Sequence, residues 1–136
     1  MAQCSILFVT PDGHDTRLGG LRNLGFHVDV SQELPPNEAF AQYHAVIIRT
    51  HADCPLPMLA ARLRAKPRFG RRVLLAIVHE TMGDRERREA VLSGFDETMP
   101  ATSGVRDLAA AILRLLRPFP EFRCILRSPS GRRKAA

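Results

Sequence analysis

Two kinds of apolar run alternate along the chain. The first kind is short and uninterrupted: Ser5-Ile6-Leu7-Phe8-Val9, His44-Ala45-Val46-Ile47-Ile48-Arg49-Thr50 and Val73 to Val78. Runs this short, β-branched and free of polar alternation predict strands covered on both faces. Phe26-His27-Val28-Asp29-Val30 alternates apolar with polar, which predicts a half-exposed edge strand, and Phe95 to Met99 forms a short last strand before Pro100. The second kind repeats at helical spacing: Leu18, Leu21 and Leu24; then Leu56, Leu59 and Leu63 with Ala60 and Ala61; then Arg85 to Ser93; then Val105, Leu108, Ala109, Ile112, Leu115 and Leu116. Pro35-Pro36-Asn37 breaks the chain and leaves Glu38 to Tyr43 at most a two-turn helix.

Turn and cap chemistry falls between these runs. Thr10-Pro11-Asp12-Gly13 ends the first strand. Asp12 or Asp15 is the expected N-cap of the first helix, Asp53 of the one beginning at Cys54-Pro55, Asp84 of the next, and Thr102 or Ser103 of the last. Gly25 and Gly94 stand where C-terminal caps belong. Gly19-Gly20 weakens the first helix by about 1 kcal/mol per glycine. Five strands alternating with five helical segments predict an α/β chain with a parallel sheet covered on both faces. The expected architecture is a flavodoxin-like three-layer sandwich in strand order 2-1-3-4-5. Ligands and chemistry in such sheets sit at the carboxyl ends of the strands, so Arg49, closing the third strand, is the residue to explain.

Composition narrows the reading. A chain of 136 residues fits one domain with a core of its own. Cys4, Cys54 and Cys124 are far apart and odd in number, which suggests neither a disulfide framework nor a zinc site and favours a reducing compartment, the cytoplasm. The expected chain has no secretory signal, and its apolar runs are too short to cross a membrane. Residues 1–104 carry equal numbers of cations and acids, so the net charge of +6 lies in residues 105–136. The chain divides accordingly into a domain over 1–117 and a basic extension over 118–136. Phe122 to Leu126 is read as a short packed piece and Ser128 to Ala136 as disordered. Arg62, Arg64, Lys66, Arg68, Arg71 and Arg72 form a second, local basic cluster, read as a solvated edge.

The second half of the domain carries a resemblance. Val73-Leu74-Leu75-Ala76-Ile77-Val78, followed by Gly83-Asp84-Arg85-Glu86-Arg87-Arg88-Glu89-Ala90-Val91-Leu92-Ser93-Gly94-Phe95-Asp96-Glu97, resembles the fourth strand, fourth helix and turn into strand five of the CheY-like receiver domains of response regulators. The resemblance covers roughly residues 4–117. In active members an aspartate ending strand three accepts a phosphoryl group, two acids ending strand one hold Mg²⁺, a Ser/Thr ends strand four and a Lys ends strand five. Carried over position by position, the acceptor becomes Arg49 and the acid pair falls on Thr10 and Pro11, with Asp12 just beyond. The Ser/Thr falls on His79, with Thr81 the alternative, and the lysine on Ala101. A guanidinium cannot accept a phosphoryl group and stays charged. The resemblance therefore implies a pseudo-receiver of the bacterial two-component type that is not an enzyme and needs no cofactor or metal. Its partner would be a protein, bound on the face made by Asp84–Ser93, Asp96–Met99 and Ser103–Arg117; a homodimer is left open. Asp12 is the expected counter-ion of Arg49. Asp53, four residues past Arg49, is read as a cap and not as a displaced acceptor.

Two rivals remain. Asp12-Gly13-His14-Asp15 resembles the Asp-x-His-x-x-Gly motif of cobalamin-binding domains, which share the architecture; there the counterparts of His14 and Asp12 would ligate the cobalt and orient the ligand. Arg17 stands where that motif has glycine, and no Gly-Gly follows strand four. A nucleic-acid contact through the basic tail is the third reading. His27, His44, His51 and His79 have no metal-ligand spacing, and no Ser-His-Asp set or phosphate-cradling glycine loop is present.

Overall fold

A computed structural model describes residues 4–50 and 55–117. Five parallel strands, β1 (Ser5–Val9), β2 (His27–Ser31), β3 (Ala45–Arg49), β4 (Val73–Val78) and β5 (Glu97–Pro100), form one sheet in the order β2-β1-β3-β4-β5. The register runs Val9 beside Ile48 and Arg49 beside Ile77, so β1, β3 and β4 end in steps of one residue along the carboxyl edge. The strand order and the three layers are those the apolar pattern predicts.

The three central strands alternate their side chains between two cores, which is why β4 is apolar throughout and β1 and β3 are apolar apart from Ser5 and Arg49. On one side, Ile6, Phe8, Ala45, Ile47, Leu75 and Ile77 meet helix α1 (Leu18–Asn23) and helix α4 (Val105–Leu116). On the other, Leu7, Val46, Ile48, Leu74, Ala76 and Val78 meet helix α2 (Leu56–Arg64) and helix α3 (Asp84–Ser93). Phe40 and Phe69 join this second core edge to face, with ring centroids 5.2 Å apart.

The described residues hold four α-helices where five helical segments were expected. Asn37–Gln42 is a 3-10 helix. Six residues between Pro35-Pro36 and an extended Tyr43 are too few to repay α-helix nucleation, and the tighter turn suffices to bury Phe40. Leu24 also departs from expectation: α1 stops at Asn23, so Leu18 and Leu21 are buried while Leu24 is exposed.

The helix caps differ from those expected. Arg17, Gly83 and Gly104 hold the N-cap positions of α1, α3 and α4, none with a side-chain cap, in place of Asp12 or Asp15, Asp84, and Thr102 or Ser103. Asp84 lies inside the first turn of α3, where its charge still suits the helix dipole, and Glu86 Oε1 reaches back to accept the Gly83 N–H at 2.9 Å. Gly94 ends α3 as expected. Its φ of 139° is closed to side chains, and an added Cβ would come within 3.0 Å of the Arg64 side chain. Asp53 and the tail lie outside the described residues.

Candidate functional site

The carboxyl edge of the sheet is built from two loops and the end of β3. The β1–α1 loop brings Thr10 to Arg17, β3 ends in Arg49, and the β5–α4 loop brings Ala101 to Gly104. Thr10 continues β1, and its N–H donates to the Ser31 carbonyl at 2.9 Å. It is buried, and its hydroxyl oxygen has no hydrogen-bond partner among the described residues. Pro11 and Asp12 turn outward and are exposed, with Gly13 at φ 72° closing the turn. The chain then turns inward, and Asp15 is buried with its side chain only 1% exposed.

Asp15 is held by Arg17. Its Oδ1 accepts the Arg17 backbone N–H at 2.9 Å, and Arg17 Nη1 donates to Oδ1 at 3.0 Å and to Oδ2 at 2.8 Å. The same guanidinium donates through Nε to the Ser103 carbonyl at 2.8 Å and through Nη2 to the Ala101 carbonyl. A planar fork serves the carboxylate and the two carbonyls from three separate nitrogens, a span that the single ammonium nitrogen of a lysine does not have.

Arg49 faces the same acid. Its Nη1 lies 3.6 Å from Asp15 Oδ2 and 3.9 Å from Asp12 Oδ2. The expected Arg49–Asp12 pair is thus present at long range, with Asp12 72% and Arg49 39% exposed, while the buried Asp15 lies nearer. These are charge contacts without hydrogen bonds. Two guanidinium groups and two carboxylates share this edge, so its formal charge balances. A divalent ion does not fit the donor set: the oxygens of Asp15 already accept from Arg17, and Arg49 faces both acids, so the ion would enter beside two permanent cations.

The remaining residues singled out in the sequence lie around this centre. His79 follows β4; its Nδ1 accepts the Thr81 backbone N–H at 3.2 Å and lies 2.9 Å from the Thr81 hydroxyl. Ala101 is exposed just beyond β5, and its contribution to the edge is its carbonyl. His14 is exposed on the β1–α1 loop, and the Asp12 carboxylate that would have to orient it faces Arg49. Among the described residues no group of three or more His, Cys, Asp and Glu side chains gathers into a metal site. His44 takes a structural part, its Nδ1 accepting the Ser5 N–H at 2.9 Å. In the basic cluster, Arg64 and Arg72 are committed to the fold. Arg64 donates to the carbonyls of Gly94 and Arg72 and to Asp96, and Arg72 donates to those of Tyr43, Phe69 and Ala41.

The two residues that organise the edge, Asp15 and Arg17, were legible only as a cap candidate and as a departure from a glycine. Their two-residue spacing in a loop gives no periodic signal. Arg17 reaches the β5–α4 loop across more than eighty positions of sequence.

No protein-family model matches the chain, and no curated relative does. Solved structures do. An orphan response regulator of H. pylori, HP1043, aligns over 84% of this chain and 97% of its own, with a TM-score of 0.61 and 21% identity. The chemotaxis response regulator CheY4 of Vibrio cholerae aligns over 85% and 100%, with a TM-score of 0.64 and 13% identity. The fold is that of the CheY-like receiver domains. A further receiver-fold neighbour, described as an atypical orphan response regulator with a phosphorylation-independent regulatory mechanism, aligns over 83% of this chain and 95% of its own, at a TM-score of 0.66 and 21% identity. No helix among the described residues is long and apolar enough to cross a membrane.

Proposed function

We propose that the chain is a non-catalytic pseudo-receiver of the two-component type, which signals by binding a protein partner and not by accepting a phosphoryl group. The observation that carries this reading is the guanidinium of Arg49 at the end of β3, facing Asp12 and Asp15. The acceptor position holds a cation that cannot be a nucleophile. Thr10 and Pro11 stand in place of the acid pair, His79 in place of the Ser/Thr, and Ala101 in place of the lysine. The two nearby acids are neutralised by side chains of the chain itself. Orphan and phosphorylation-independent regulators among the structural neighbours support the same reading. The partner surface carried over from receivers is α3, β5 and α4. Leu92 on α3 is 86% exposed and Val91 beside it 43% exposed, apolar area that no other part of the described fold covers.

The test is incubation of the purified protein with Mg²⁺ and acetyl phosphate, read by intact mass. The expected mass is unchanged, for the native protein and also for Arg49→Asp, because Arg17 still holds Asp15 and Ala101, not a lysine, follows β5. Gain of one phosphoryl group by the native protein would refute the reading. Partner capture from the native source, compared between the native chain and Leu92→Glu, tests the surface; equal capture would move it elsewhere.

A further inference from the structure

We infer that Arg17 is a built-in clasp that fixes the β5–α4 junction in one position, so that the placement of α4 does not wait on any signal at the sheet edge. The geometry alone carries the clasp; its meaning for signalling rests on the pseudo-receiver reading. Arg17 starts α1 and is fixed at its base, because Asp15 accepts both its backbone N–H and its guanidinium. Its free edge then reaches Ala101 and Ser103, two carbonyls on either side of Thr102 in the loop that leads into α4. Guanidinium and carboxylate are 9% and 1% exposed, so water competes little for either.

The surroundings leave the loop few other restraints. Ser103 N–H donates to Pro100 O at 3.0 Å, closing the turn, and α4 begins at Val105 after its N-cap Gly104, with no side-chain cap. No side chain of the loop itself is seen to tie it to β1, β3 or β4. Helix α1 packs on α4 with Gly20 against Val105. Arg49 brings a second positive charge to the same carboxylate, its Nη1 3.6 Å from Asp15 Oδ2, without a hydrogen bond. One buried ion pair therefore does continuously, from within the chain, what an external charge would otherwise have to do at this edge. Arg17 is a positioning residue, acting on α4 through the loop.

Residue-resolved hydrogen exchange on the folded protein tests this, comparing the native chain with Arg17→Ala, Arg17→Lys and Asp15→Asn. Arg17→Ala should speed exchange at the Ser103 and Leu108 amides, which donate to the Pro100 and Gly104 carbonyls, by about tenfold or more, with β3 and β4 unchanged. Arg17→Lys keeps the charge but loses the fork, so it should not restore protection; Asp15→Asn should fall between. Where Arg17→Ala does not fold, the other two variants decide. Native protection of the Ser103 and Leu108 amides in Arg17→Lys would show that charge alone suffices and overturn the forked clasp. An increase spread evenly over the whole sheet would reduce Arg17 to general stability. Neither result depends on whether acetyl phosphate modifies the protein, so failure of the clasp and failure of the pseudo-receiver reading are separable.

Discussion

Arg49 and Arg17 share a carboxylate but differ in what their loss leaves behind. Removing Arg49 frees an exposed Asp12 to be solvated, and Asp15 keeps Arg17. The cost of Arg49→Ala is then that of a surface pair, about 0–1 kcal/mol. That is less than a close Arg49–Asp12 pair would have implied, since orphaning a 72% exposed carboxylate carries little desolvation penalty. Asp15→Ala strands the guanidinium of Arg17 in a nearly dry site and should cost about 3–5 kcal/mol. A double-mutant cycle in urea should give Asp15 and Arg17 a coupling well above 1 kcal/mol and Asp12 and Arg49 one below about 0.5 kcal/mol. Equal couplings would show that burial does not separate the two pairs.

At the scale of elements, α1 illustrates how neighbours reverse a local preference. Gly19 and Gly20 are adjacent in one short helix, and helix propensity favours alanine over glycine by about 0.8–1.0 kcal/mol at both. Nothing lies within 4 Å of a Cβ at Gly19, so Gly19→Ala should raise stability by roughly that amount. A Cβ at Gly20 would stand 2.7 Å from Val105 Cγ2, a branched side chain on α4 with little room to yield. Gly20→Ala should therefore lower stability by about 1–3 kcal/mol, the usual range for overpacking. Thermal melts of the two single variants check the opposite signs. The α2–α3 pair is tied differently: Arg64 joins Gly94 at the end of α3 to Asp96, whose Oδ2 also accepts the Leu74 N–H at 2.8 Å, so one arginine sets where β5 meets β4.

For the whole molecule, two buried acids make stability depend on alkaline pH. Burial pushes the Cys4 thiol from 9.0 up to about 12. Burial, with the Asp29 carboxylate that accepts its hydroxyl at 2.8 Å, pushes Tyr43 from 10.0 up to about 12. Both folded values lie above the unfolded ones. The unfolded chain loses these protons first, so the stability is intact below pH 9 and falls as pH rises from about 9 towards 12. Denaturant melts at pH 8 and pH 10.5 should show this fall, and Cys4→Ala should lessen it. An identical fall in Cys4→Ala would place the effect in other groups.

Periodicity and burial determined what the sequence could determine alone. A strand buried on both faces must be apolar throughout, and an amphipathic helix must repeat near 3.6 residues, so β1, β3, β4 and α4 are legible without neighbours. The same logic places Arg49 at a strand end, because a permanent cation stops a buried run. Where a segment is short or its partners are remote, the local signal fails. Asn37–Gln42 took the 3-10 form from the space between two prolines and β3, and the caps moved to Gly83 and Gly104 because backbone path, not side-chain type, chose them. Arg17 is the clearest case. Its acceptors are two main-chain carbonyls and a carboxylate that come together only when β5 has joined β4 and α4 has packed beside α1. Backbone carbonyls have no sequence identity, so no pattern of residues could have announced that contact; only the tertiary structure, by closing the sheet, decides it.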